Sequence, residues 1–316
     1  MPGPFAHMVA AEQAQLRARH AGCELIAAST LRYPAWLQAG AIGPDYPYLT
    51  DYDSPASGDW ANRLHREKTG DSLRHGIWWL YDRARRQDEA DFQKAAAWLA
   101  GYLSHVVLDA TVHPVVAATV GDDNDLLAHR RCEMVMDAHI CRNRLGYELV
   151  FDEWAQHIRN TRYGDRESMD PIIKAIWSHM LRQTYGKDFR ATPPRFDDWQ
   201  RAYLRAIESV AGDIIFFRHA ASGSPFVDIA CDGISEADRR KFIEHCRPPA
   251  GNRFGKINMH FDEVFASGVD NILRYWSLME NAIQSRGDLA LPELANWDLD
   301  LGITHSTGDG LAMLWG

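Results

Sequence analysis

Apolar residues return every three or four positions along most of the chain, the period that gives a helix one buried stripe. Phe5, Met8, Val9, Leu16, Leu25 and Ile26 predict a helix over residues 5–31. Residues 32–59, broken by Pro34, Pro44, Pro47 and Pro55, predict a long loop. Trp60–Thr69 reads as a short helix, and Asp71–Arg86 as another with Asp71 as its N-cap and Leu73, Ile77 and Leu80 on its apolar face. The pattern then predicts helices over Asp91–His113, ending or bending at Pro114, and over Asp125–Leu145, Gly146–Tyr163 and Ser168–Tyr185. Past a break at Pro193-Pro194, Phe196–Ala221 and Asp262–Ser285 complete the set, and the tail from Gly287 has no clear period. Period-two alternation is scarce, so the fold expected is all-α: a multi-helix bundle with an additional C-terminal helical region. Residues 1–145 are expected to form the core, and residues 146–316 further helices packed on it within the same domain.

The helix over 91–113 breaks its own apolar pattern in one regular way. His105, Asp109 and His113 stand at i, i+4 and i+8, and therefore share one stripe of a helix. Their neighbours Val106, Val107, Leu108 and Val112 mark that helix for burial, where a carboxylate and two imidazoles are costly unless paired or bound to a cation. The next helix adds His129 and Glu133, again i, i+4. A single core histidine is ordinary, but five such groups exceed what one tetrahedral zinc accepts and point to more than one ion. His7, His65 and Asp45, the last held between Pro44 and Pro47, extend the set. The ligand helices lack the Glu-x-x-His pairs of di-iron bundles, and the chain lacks the H-E-x-x-H of metalloproteases.

Composition narrows the partners. The chain has 316 residues, with 46% hydrophobic and 24% charged, and carries a net charge of −9. That balance describes a globular protein and argues against nucleic acid as a partner, since no basic stripe is present. Cys23, Cys132, Cys141, Cys231 and Cys246 are scattered, form no C-x-x-C, and read as free thiols. The N-terminal residues show no secretory signal, and no run of about 18 apolar residues occurs. The expected location is the cytoplasm, with leaderless export as the alternative.

The phrases Gly43-Pro44-Asp45, Trp60-x4-His65, Gly101-Tyr102-Leu103-Ser104-His105-x3-Asp109 and His129-x3-Glu133 resemble the zinc-dependent phospholipase C family, over roughly residues 1–145. That family shares an all-helical fold and a three-zinc centre with single-strand-specific zinc nucleases. The resemblance implies that Asp45, His65 and His105 bind a first zinc and that Asp109 bridges the first and third. His113, His129 and Glu133 would bind the second, and His7 the third. Two departures stand out: Met1-Pro2-Gly3-Pro4 replaces the N-terminal Trp that usually completes the third site, and the Asp109-x3-His113 gap is tighter than usual. Two or three zinc ions are therefore expected.

Paired zinc ions suit hydrolysis of a phosphodiester, because they neutralise the anion and lower the pKa of bound water. Asp45 is the candidate to orient or deprotonate that water, with Asp51 and Asp53 in the same loop as substitutes. The leading expectation is a phospholipase C that meets phospholipid at a membrane surface as a peripheral protein. Tyr46-Pro47-Tyr48 and Trp78-Trp79 are candidates to touch lipid, although ordinary core packing explains such aromatics as well. Two alternatives remain: a nuclease or nucleotidase on the same three-zinc site, and a non-catalytic interaction protein stabilised by its metals.

Overall fold

A computed structural model describes residues 4–50, 55–84, 88–121, 125–145, 156–164, 168–210, 233–285, 293–304 and 314–315. The fold is all-α. Its first half runs α1 (Pro4–Arg17), α2 (Glu24–Arg32), α3 (Pro34–Ala41), a 3-10 helix (Gly43–Leu49), α4 (Pro55–Arg66), α5 (Thr69–Arg83), α6 (Glu89–Val120) and α7 (Leu126–Leu145). After a two-residue antiparallel ribbon, β1 (Arg162–Tyr163) with β2 (Ser168–Met169), come α8 (Pro171–Ala191), α9 (Phe196–Val210) and α10 (Glu236–Arg239). A π-helical turn (Arg240–Glu244) leads to α11 (Phe261–Ser285), and a second ribbon pairs β3 (Trp297–Asp298) with β4 (Ile303–Thr304).

Helices α1, α2, α3, α5, α7, α8 and α11 and the 3-10 helix all pack against α6. The Asp88 carboxylate caps its start by accepting from the Ala90 N–H at 2.7 Å, and Gly121, at φ 81°, turns the chain at its end. Although α6 is long and apolar enough to cross a membrane, 78% of its most apolar window is buried inside the protein, so it is a core helix. The α3 helix meets it backbone to backbone: a Cβ on Gly40 would stand 2.0 Å from the Trp98 carbonyl oxygen, and one on Gly101 2.0 Å from that of Leu37. No other residue fits there, and the crossing brings the end of α3 down onto His105. The α11 helix covers another face, where the Trp276 indole donates to the Ala100 carbonyl at 3.0 Å.

Several boundaries differ from those the pattern predicts. The helix expected over 5–31 is two, because Gly22 at φ 78° closes a left-handed turn before Cys23. The loop expected over 32–59 contains α3, the 3-10 helix and the start of α4. Pro34 and Pro44 sit in first turns, where the missing N–H costs nothing. Asp71 is not the N-cap of α5. Lys68 precedes that helix in the left-handed region, and Asp71 pairs with Arg74 and Asn296 from within the first turn. Helix α6 does not end at Pro114 but continues past it to Val120. The Ala110 carbonyl that Pro114 leaves without a helical donor is packed by Gly302, where a Cβ would lie 2.3 Å from the proline ring. The expected helices at 146–155 and 211–221 lie outside the described residues.

Candidate metal centre

Four elements converge on the α6 stripe. The Ala6 N–H in the first turn of α1 donates to Asp137 of α7 at 2.8 Å, and this anchors the next residue, His7, over α6. The His7 and His105 rings stack 3.8 Å apart and nearly parallel, at 12°. Asp109 serves both: its Oδ1 lies 3.2 Å from His7 Nε2 and its Oδ2 3.2 Å from His105 Nε2. Asp45, from the 3-10 helix, places Oδ1 3.3 Å from His65 Nε2 and 3.9 Å from His105 Nε2. Ligand atoms of His7, Asp45 and His105, and of His65, His105 and Asp109, lie within 4.8 Å of one another.

The backbone sets the tautomers. His65 Nδ1 faces the Ala61 carbonyl at 2.8 Å and His105 Nδ1 that of Ala41 at 2.8 Å, while His113 Nδ1 faces that of Leu299. A carbonyl only accepts, so each Nδ1 carries the proton and each Nε2 presents a lone pair inward. Leu299 belongs to the tail between β3 and β4, and its own N–H bonds to the His65 carbonyl at 2.6 Å. One tail residue thus holds a histidine from each of two helices.

A second group lies farther along the stripe. His113 Nε2 and His129 Nε2 approach Glu133 Oε1 at 3.2 and 3.1 Å, and Arg130 holds the other oxygen at 3.0 Å. Their ligand atoms also lie within 4.8 Å. Burial is the main force lowering the basicity of both imidazoles, and it brings His129 down to about 4. Both are neutral at pH 7 and able to bind a metal.

In the first group the balance is different. Burial opposes ionisation of Asp109, yet the charges of His105 and His7 outweigh it and hold the carboxyl well below its usual range. Asp45 is lowered in the same way, with His105 and His65 overcoming burial. His105 is raised, because Asp109 and Asp45 overcome its desolvation, whereas burial and His105 together lower His7.

These residues fit a metal cluster. His7 Nδ1 and Nε2, Asp45 Oδ1, His65 Nε2, His105 Nε2 and both Asp109 oxygens are buried and make no hydrogen bond of acceptable geometry. Buried polar atoms without partners are costly, and here they face one another. The separations of 3.1–3.3 Å in the two groups match the roughly 3.3 Å between ligands of a tetrahedral ion bound at about 2.0–2.1 Å. A mixed imidazole and carboxylate set suits zinc.

Some functional neighbours carry no sequence signal. The Ala41 and Leu299 carbonyls could come from any residue. Asp300 lies close enough to His65 and His113 that their charges overcome its burial and lower its pKa, and Arg66 binds it at 2.6 Å. Of the aromatics expected to meet lipid, Tyr46 and Trp79 are core residues at 1% and 2% exposure, and Trp78 is exposed. The ring of Tyr48 packs 4.9 Å from that of His65. Asp51, Asp53 and residues 1–3 lie outside the described residues. Cys23, Cys132 and Cys246 are buried free thiols, and the Cys141 and Cys231 side chains also lie outside what is described.

Fold and site together define an all-helical protein with a buried, histidine- and carboxylate-rich centre able to hold several metal ions. The chain belongs to the zinc dependent phospholipase C family, whose model matches residues 5–187. No curated protein and no solved structure matches it.

Proposed function

We propose that the chain is a phospholipase C that cleaves a glycerophospholipid to diacylglycerol and a phosphorylated head group, with His7, Asp45, His65, His105, Asp109, His113, His129 and Glu133 as its zinc ligands. The carrying observation is the convergence of buried nitrogen and oxygen atoms without hydrogen bonds on both sides of Asp109. Zinc bound there supplies charge neutralisation for the phosphodiester and a water of near-neutral pKa. The number of ions in this reading is three: Asp45, His65 and His105 hold the first, His113, His129 and Glu133 the second, and His7 the third, with Asp109 bridging first and third.

In this reading Asp45 orients or deprotonates the attacking water. Its side chain is 15% exposed, whereas those of Asp109 and Glu133 are at 0%. Arg130 leaves Glu133 Oε1 to the two imidazoles by occupying Oε2. Exposed Leu301, one residue after Asp300, supports contact with an apolar substrate.

The test uses zinc-loaded protein and mixed micelles of common phospholipids. Release of a phosphorylated head group, abolished by chelator and restored by zinc, is expected. Acid-soluble nucleotide from single-stranded DNA without head-group release would replace this reading with the nuclease. Neither product, with metals bound, would leave the metal-stabilised interaction protein.

A further inference from the structure

Outside this centre, three more ligand-type side chains converge. His139 lies on α7, six residues beyond Glu133 and therefore roughly a third of a turn away from the face that bears it. His260 and Asp262 flank the first residue of α11. His139 Nε2 stands 3.0 Å from Asp262 Oδ1, and His260 Nδ1 stands 3.4 Å from Asp262 Oδ2. The two rings are 5.7 Å apart and inclined at 60°, so they are not stacked on each other. One ligand atom from each residue lies within 4.8 Å of the others.

We propose that His139, His260 and Asp262 form a separate site for a divalent transition-metal ion of the zinc class, which clamps α7 to the start of α11. The amide N–H of Asp262 donates to His260 Nδ1 at 3.2 Å, so that nitrogen is an acceptor without a proton. An ion bound there would take that one lone pair in place of the amide N–H, and its charge would reconcile Nδ1 with the acceptor it faces, Asp262 Oδ2. The separations of 3.0 and 3.4 Å bracket the spacing of about 3.3 Å around a tetrahedral zinc. Two imidazoles select against calcium and magnesium, which take oxygen donors. Three protein ligands leave a coordination position for water, and the side-chain exposures of 12% for His139, 40% for His260 and 44% for Asp262 give an ion a path from solvent. The negative charges of Asp262 and Glu263 in the first turn of α11 offset the positive end of that helix.

Such an ion ties the helix that carries His129 and Glu133 to a helix packed on α6, and does so without touching the eight residues of the main centre. Because it binds only the folded chain, it raises stability with concentration. The experiment compares full-length protein with His260→Ala and, separately, His139→Ala. Each is stripped and titrated with zinc while bound equivalents are counted by elemental analysis and melting is followed. Both variants are expected to bind one equivalent fewer than the unaltered chain and to lose the corresponding zinc-dependent rise in Tm, while the remaining equivalents are retained. Substituting exposed His260 keeps the test intact even if His139→Ala does not fold. Equal stoichiometry in the unaltered chain and His260→Ala, or an unchanged zinc-dependent rise in Tm, would overturn the proposal.

Discussion

The two halves of the metal centre use the same residue types in opposite ways. Around Asp109, five side chains from α1, the 3-10 helix, α4 and α6 meet with buried atoms that make no hydrogen bonds. Around Glu133, three side chains from only α6 and α7 already form hydrogen bonds to one another, and His129 is 26% exposed. The first arrangement is poor as a hydrogen-bonded core and good as a cation cage, whereas the second is tolerable as either. The difference teaches that metal and folding are coupled more tightly at Asp109 than at Glu133.

Substituting the shared carboxylate should break the comparison most severely. Asp109→Asn removes the charge between His7 and His105 and is expected to abolish activity, release zinc and lower Tm together, as followed by elemental analysis and melting curves. Retention of full zinc content would show that Asp109 does not bridge. Asp45→Asn keeps nearly the same shape and is expected to lower kcat by about 10²–10⁴-fold with zinc largely retained, which separates proton transfer from scaffolding. An unchanged kcat would move that role elsewhere.

The smallest effect lies in acid. With metal removed, His129 has a folded pKa of about 4 against an ordinary 6.5, so its contribution is fully present above 6.5 and is lost as the pH falls toward 4. The sign at His105 is the reverse: its folded pKa is raised, so its contribution is present at low pH and fades as the pH rises through that value. Denaturant unfolding of stripped protein between pH 7 and 4.5 should therefore show stability falling by at most about 1.4 kcal/mol per pH unit for each such imidazole. The fall should be shallower in His129→Gln. An identical slope in the two proteins would remove the second group from the account.

Much of this arrangement is legible because helices are local. The i, i+4, i+8 spacing of His105, Asp109 and His113 fixes a shared face before any tertiary contact is known, and His129 with Glu133 repeats the logic. Asp45 and His7 are harder to place, because their arrival depends on long-range contacts such as the Gly40–Gly101 crossing and the Ala6 to Asp137 hydrogen bond. Prolines misled where they begin helices instead of breaking them, as at Pro34. The tail was opaque for a different reason. Its contribution is a backbone carbonyl and N–H at Leu299, which every residue but proline possesses.

That tail has a consequence for how the protein comes into being. Chains emerge from the ribosome N-terminus first, so all eight candidate ligands are made long before Leu299, whose carbonyl meets the His113 ring and whose N–H holds the His65 backbone. A nascent chain therefore carries every candidate ligand but not the carbonyl that aims one of them, His113. The His113 ring gains its backbone partner only after residue 299 has been joined, so the order of synthesis delays the full set of contacts around the candidate ligands.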